Sequence, residues 1–237
     1  MKRFAKLVLA AVTLSVATSA RAGVITYTQS FPLTDTNWSA DLSFPKFDPS
    51  LGQLTSIQFS LGGFVTGTAA YESLDSEPSD VTLKLQASER LFRPDNSQIL
   101  ITIPTVSALR HATAFDDELD FAGTSGETLT GLSGTASNSV ISKLPADLAL
   151  FTASFAGQTI SLPATAAGES TIGGSGNLAF SYQTQASATA SVNYTFAAAS
   201  SPGGPPTFAA VPEPAGSTML VAAGALVLTH RRRRVTV

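Results

Sequence analysis

The chain of 237 residues has no cysteine, which removes both a disulfide framework and a thiolate metal cage from consideration. Histidine is nearly absent as well, and of the two present only His111 falls in the part that reads as a folded domain. A zinc site or a Ser-His-Asp triad would hang on that one imidazole, and no G-x-S-x-G elbow accompanies it, so His111 reads as a surface or capping residue. Charge is thin: Asp, Glu, Lys and Arg make up 13% of the chain, against roughly 25% in an average soluble protein. Ser, Thr, Asn and Gln must therefore supply much of the wet surface.

What charge there is lies unevenly. Four of the fourteen Lys and Arg precede Gly23 and four more are Arg231, Arg232, Arg233 and Arg234, which leaves six between Gly23 and Val211 against sixteen Asp and Glu. A working domain with that excess of negative charge repels phosphate backbones, so nucleic acid is not an expected partner.

The N-terminus begins with Lys2, Arg3 and Lys6, continues through "LVLAAVTLSVA" and ends in the small residues "ATSARA". A basic head, an apolar middle and an Ala-x-Ala exit describe a secretory signal peptide. Ala20 and Ala22 fit the small pockets of a signal peptidase, placing the mature start at Gly23 and the processed segment at 1–22.

Along the middle, alternation of period two dominates. In "LTSIQFSL" the residues Leu54, Ile57, Phe59 and Leu61 stand largely opposite Ser56, Gln58 and Ser60, and "VTLKLQA" sets Val81, Leu83 and Leu85 against Thr82, Lys84 and Gln86. Such runs are strands with one face in a core and one in water. "ITYTQ", "QILITI", "NLAFSY" and "SVNYTF" read the same way, punctuated by the turn signals "DPSLG", "EPSD", "RPDNS" and "GGSG". About 175 residues suffice for one core. The expected fold is all-β, a single antiparallel β-sandwich or jelly roll over 23–199, with a short helix at "LPADLALF" left open. A Pro/Gly-rich linker, 200–210, follows, extended because proline cannot donate to a ladder.

The last 27 residues, 211–237, carry three features in order: "VPEP" (Val211, Pro212, Glu213, Pro214), a mostly apolar run from Ala215 to Thr229, and four arginines. Fifteen residues make a helix of about 22 Å at 1.5 Å per residue, somewhat short of the roughly 30 Å hydrocarbon layer. His230 and the arginines can snorkel, and the arginines hold their end on the cytoplasmic side. With a signal peptide ahead of it, this chain is threaded out and then stopped in the inner membrane.

The three-part tail resembles the PEP-CTERM sorting signal of bacteria. The resemblance implies recognition by an exosortase, a membrane cysteine transpeptidase, cleavage near Pro-Glu-Pro, and export linked to extracellular polysaccharide. An ordinary C-terminal anchor that is never cut is the alternative. A second resemblance, carried by "TYTQSFPLTDTNWSADLSFPKFDPSLGQLTSIQFSLGG" and "SGNLAFSYQTQASATASVNYTF", is to the choice-of-anchor E type domain, a family defined by interchangeable C-terminal anchors rather than by an activity.

Inside the domain the candidate sites are few. In "FDPSLGQL", Asp48 caps a turn made by Pro49 and Gly52 while Leu51 and Leu54 plug the sandwich; as a calcium ligand it would supply one of the six to eight oxygens that ion takes. "FDDELDF" gathers Asp116, Asp117, Glu118 and Asp120 without the spaced pattern of a calcium loop, so a solvated acidic loop is the plainer reading, as it is for Glu72, Asp75, Glu77 and Asp80. "GGSG" from Gly173 to Gly176 lacks the Lys of a phosphate loop. Trp38 and the four tyrosines, Tyr27, Tyr71, Tyr182 and Tyr194, would serve a sugar-binding face if exposed and the core if not. No metal and no cofactor is expected. The resulting expectation is an exported cell-surface or extracellular-matrix protein without enzymatic activity, with a carbohydrate-binding module of the exopolysaccharide matrix as the second reading and a secreted hydrolase as the third.

Overall fold

The computed structural model of the chain describes residues 22–174 and 176–199. Ten strands run in the order β1 (Ala22–Asp35), β2 (Trp38–Pro45), β3 (Gly52–Ser73), β4 (Ser79–Phe92), β5 (Gln98–Thr102), β6 (Thr105–Ala112), β7 (Gly126–Ser142), β8 (Thr159–Gly168), β9 (Thr171–Gly174) and β10 (Leu178–Ala198), with one helix, α1 (Pro145–Phe151), between β7 and β8. All strand pairings are antiparallel.

Two sheets face one core. The first has the order β1-β10-β3-β7 and the second β2-β8-β4-β5, with β6 and β9 also paired to β4. The alternation read from "LTSIQFSL" is seen directly: Ile57, Phe59 and Leu61 are buried, and Val192 and Tyr194 of β10 lie beside them in register. The second sheet answers with Leu42, Phe44, Leu91, Ile160 and Leu162. β4 changes partners halfway. Ala87 N–H donates to Pro104 O and Glu169 N–H to Gln86 O, so both neighbours of β4 break at the same level. Pro104, which cannot donate, and the Glu169–Ser170 step separate β5 from β6 and β8 from β9. Beyond that break a second, smaller core forms around Tyr71, Val81, Leu83, Leu85 and Leu129.

The helix at "LPADLALF" does form. Pro145 sits in its first turn, where the missing N–H costs nothing, and Phe151 is buried against Phe59 with ring centroids 5.1 Å apart. Asp48 closes the turn as its sequence suggests: its Oδ1 accepts from Ser50 N–H at 2.9 Å, and that bond holds its carboxyl below the usual range. Leu54 is buried, but Leu51 is not the plug expected of it; the 3₁₀ turn at Pro49–Leu51 rotates its side chain outward and leaves it 42% exposed. Ala22 opens β1 and pairs with Ala197, and Gly23 pairs with Phe196. The remaining expectations on 1–21 and on 200–237, including Ala20, the linker, Val211, Pro212, Glu213, Pro214, the hydrophobic segment and the four arginines, lie outside the described residues. Among the described residues no helix is long and apolar enough to cross a membrane.

Candidate functional surface at the two ends of the domain

β3 is 22 residues long, so its ends stand about 70 Å apart at ~3.3 Å per residue. The grooves and the densest groups of carboxylates lie towards those ends.

At the Gly52 end, both ends of the described chain emerge together. Ala22 pairs with Ala197, Gly52 with Ala198, and Ala199 N–H donates to Leu51 O at 3.0 Å. α1 lies at this end and is pinned through Asp147. Arg93 Nε donates to its Oδ1 at 2.8 Å and Nη2 to its Oδ2 at 2.9 Å, while Ser142 Oγ donates to Oδ2 at 2.5 Å. The Arg93 guanidinium, ahead of the opposing effect of burial, holds the Asp147 carboxyl below the usual range. A groove of about 590 Å³ runs beside the helix, lined by Phe47, Leu54, Leu148 and Ala153 among others, and one of about 340 Å³ lies by the segment leading into it, lined by Ile99, Val140, Ile141 and Leu144.

The Ser73 end carries the acids. Residues 72–80 hold four carboxylates and 116–127 five, with Arg110 the one Lys or Arg in the segments 72–80 and 105–127. Asp116, Asp117 and Asp120 are exposed, and their geometry is that of turns: Asp116 Oδ1 accepts from Glu118 N–H and Asp120 Oδ1 from Ala122 N–H. Asp117 itself has φ 71°, a left-handed conformation in which Asp and Asn are enriched. Among the described residues no group of three His, Asp or Glu side chains meets as a metal site would require. His111 is exposed, with Nδ1 3.0 Å from Asp80 Oδ1.

The rings that sequence reading offered for a sugar platform are mostly spent on packing. Trp38 is buried, its indole N–H donates to Ala186 O at 3.1 Å, and its ring lies 4.3 Å from that of Phe31. Tyr71 and Tyr194 are buried, Tyr194 donating to Pro45 O, while Tyr27 and Tyr182 are half-buried.

Three features are not among those expected from the sequence. One is the outer face of the first sheet, where register aligns Thr26–Asn193–Gln58–Ile141, Thr28–Ser191–Ser60–Ser139 and Ser30–Thr189–Gly62–Ser137 in rows without a charged side chain. The outer face of the second sheet instead carries Asp41, Lys84 and Arg90 on β2 and β4. The other two are buried glutamates, each beside a glycine that makes room for it. A Cβ on Gly126 would overlap the Glu72 carboxylate, and one on Gly63 would overlap that of Glu89. Glu72 is thus not the solvated loop acid expected of it: it lies buried on β3, and its Oε1 accepts from buried Ser125 Oγ at 2.5 Å. Glu89 sits between Ala87 and Leu91 on the inward face of β4 with neither carboxylate oxygen hydrogen-bonded. Burial pushes its carboxyl up to about 8, and the nearby Phe64 backbone amide offsets part of that rise. The alternation that turns Val81, Leu83 and Leu85 inward puts Glu89 on the same face when carried on to Leu91, whereas nothing in "AAYESLD" marks Glu72 as buried. The pairing does.

No family model and no curated protein matches the chain. Among solved structures, that of the infectious bursal disease virus Gx strain is similar at 13% identity and a TM-score of 0.19, over 76% of this chain and 37% of that one. T=1 particles derived from infectious bursal virus give 13% identity and 0.18 over the same shares. A VP2 subviral particle of infectious bursal disease virus gives 14% and 0.13 over 90% of this chain and 50% of that one. This chain spans about a third to half of those chains, and at such scores the likeness carries no functional argument.

Proposed function

We propose that the protein is an exported bacterial cell-surface or extracellular-matrix protein without enzymatic activity. In this reading a single sandwich domain stands between an N-terminal signal peptide and a C-terminal sorting signal, and its processing partners are signal peptidase and an exosortase. The observation that carries the reading is the shared exit of both chain ends. Ala22 and Ala199 leave the first sheet at the same end, on strands already paired, so a cut before Gly23 gives up the terminal pair Ala22–Ala197 and keeps the β1·β10 ladder from Gly23–Phe196 onward. A domain threaded out by one signal and stopped by another at its opposite terminus has both ends at the membrane, which this arrangement suits.

The intact mass of the native protein from cell envelope and medium tests it. A product running from Gly23 to near Pro214 is expected. A product that keeps Arg231 to Arg234 and is confined to the inner membrane would replace sorting by a plain anchor.

The charge-free rows on the outer face of the first sheet, hydroxyls and amides except at Gly62 and Ile141, favour a second reading, contact with extracellular polysaccharide through many weak hydrogen bonds. Because Trp38 is part of the core, Trp38→Ala would report on folding. Thr28→Lys with Ser191→Glu addresses the face directly, and unchanged retention on exopolysaccharide would remove this reading.

A further inference from the structure

The Gly52 end of the domain exposes apolar side chains that its own core does not use. Leu144 is 60% exposed, Phe155 67%, Ile141 59% and Val24 65%, and Leu51 joins them on the 3₁₀ turn. Val24 lies apart on the edge strand β1, while the others sit by the two grooves: Ile141 and Leu144 line one, Pro49 and Gly52 line the other on either side of Leu51, and Phe155 follows Ser154, which lines it too. The far end exposes apolar residues to a similar degree, Leu109 at 64%, Leu119 at 60% and Phe180 at 55%, so apolar exposure alone does not distinguish the ends.

Charge separates the two ends. Around α1 and its flanking turns Lys46, Arg93 and Lys143 balance Asp48, Asp95 and Asp147, and Arg93 and Asp147 are spent on each other. The far end holds nine carboxylates in 72–80 and 116–127 against Arg110; Glu72 is buried and Glu127 is paired with Arg110, which leaves seven without a Lys or Arg beside them in those segments. An anionic lipid surface repels the far end and tolerates the near one, and apolar side chains lower their free energy by entering the boundary between headgroups and acyl chains. Chain length sets the reach before any cut near Pro214: from Ala199 to Ala215 the backbone spans at most about 58 Å even fully extended, so a tail held in the membrane keeps the end where Ala199 emerges within that distance of the bilayer.

We propose that the α1 end of the domain is a bilayer-seating surface, with Phe155, Leu144, Ile141 and Leu51 entering the lipid interface, Lys46 and Lys143 at its rim and the acidic end pointing outward. The tail's role as a membrane span belongs to the preceding reading; the seating is a separate contact made by the domain itself.

The absence of cysteine makes the test direct. Full-length chains bearing one of Phe155→Cys, Leu144→Cys, Leu119→Cys or Leu226→Cys are labelled with an environment-sensitive fluorophore and reconstituted in vesicles of phosphatidylcholine and phosphatidylglycerol that contain a spin-labelled quencher lipid. Seating predicts quenching at 155 and 144 several-fold stronger than at 119, since an interfacial side chain lies roughly 5–10 Å into the headgroup boundary. The label at 226 reports on the anchor alone. Quenching at 226 with equal, weak quenching at 155, 144 and 119 overturns the seating and leaves the anchor standing. Quenching at 155 and 144 without quenching at 226 supports the seating and removes the anchor. No quenching at any position overturns the seating as well.

Discussion

At the Gly52 end of β3 the buried carboxylate, Asp147, is closed by a two-pronged guanidinium and a serine hydroxyl; at the Ser73 end the buried Glu72 has Ser125 Oγ on one oxygen and no partner on the other. The first end pairs Arg93 with Asp147 and balances its other charges in number, which leaves it close to neutral. The second accumulates carboxylates on loops held by backbone-to-Asp hydrogen bonds. One domain thus presents a face suited to a low-dielectric neighbour and another suited only to water, and the same long strand connects them.

Removing the guanidinium breaks this contrast hardest. Arg93→Ala leaves Asp147 buried without its counter-ion, and truncating one partner of such a pair costs about 3–5 kcal/mol. The urea midpoint at pH 7 should fall accordingly. Because Asp147 has a depressed carboxyl in the folded state, the pair's stabilisation is complete above the unfolded value near 3.8 and fades as pH drops through the folded one. The deficit of Arg93→Ala should therefore shrink in strong acid, and a deficit independent of pH would point to lost packing instead.

Glu89, midway between the ends, sharpens the comparison because it has neither kind of compensation. Its folded value of about 8 lies above the ordinary 4.5, so folding takes up a proton between those two pH values. Stability is full below about 4.5 and declines as pH rises towards 8, by at most roughly 1.4 kcal/mol per pH unit. Wild type should unfold more easily at pH 8 than at pH 5.5, and Glu89→Gln, which is the same size and stays neutral, should flatten that slope. An equal slope in both proteins would place the proton uptake elsewhere.

The sequence makes some of this legible and hides the rest for physical reasons. "LTSIQFSL" and "VTLKLQA" announce β3 and β4 because large apolar and polar side chains alternate there. β7 gives no such signal: "TGLSGTASNSV" is built from small residues, and as the outer strand of its sheet it has little to bury on either side. Asp48 is readable because its partner, Ser50, is two residues away, whereas the partner of Asp147 is 54 residues away and those of Glu72 and Trp38 are 53 and 148 away. Local geometry can be read from adjacent letters. Pairing across the sandwich needs the register, and the apolar exposure at α1 is visible only once Leu51 is seen to turn outward.

The smallest effect belongs to the acidic end. Carboxylates crowded on exposed loops repel one another, and 0.15 M salt shortens the reach of that repulsion to about 8 Å. The domain should gain a few tenths of a kcal/mol between low and physiological salt, within the ±0.5 kcal/mol usual for surface charge. Asp117→Asn isolates the electrostatic part, because Asn accepts the left-handed conformation at φ 71° as readily as Asp does. Its melting temperature in low salt should rise slightly and its salt dependence should diminish. The matching change at the other end, Asp95→Asn, removes a charge from a balanced set and leaves Ser97 N–H a neutral amide oxygen in place of a carboxylate as its turn acceptor. It should lower stability at both salt concentrations, and a gain in low salt there would mean that the two ends do not differ in the way their charges indicate.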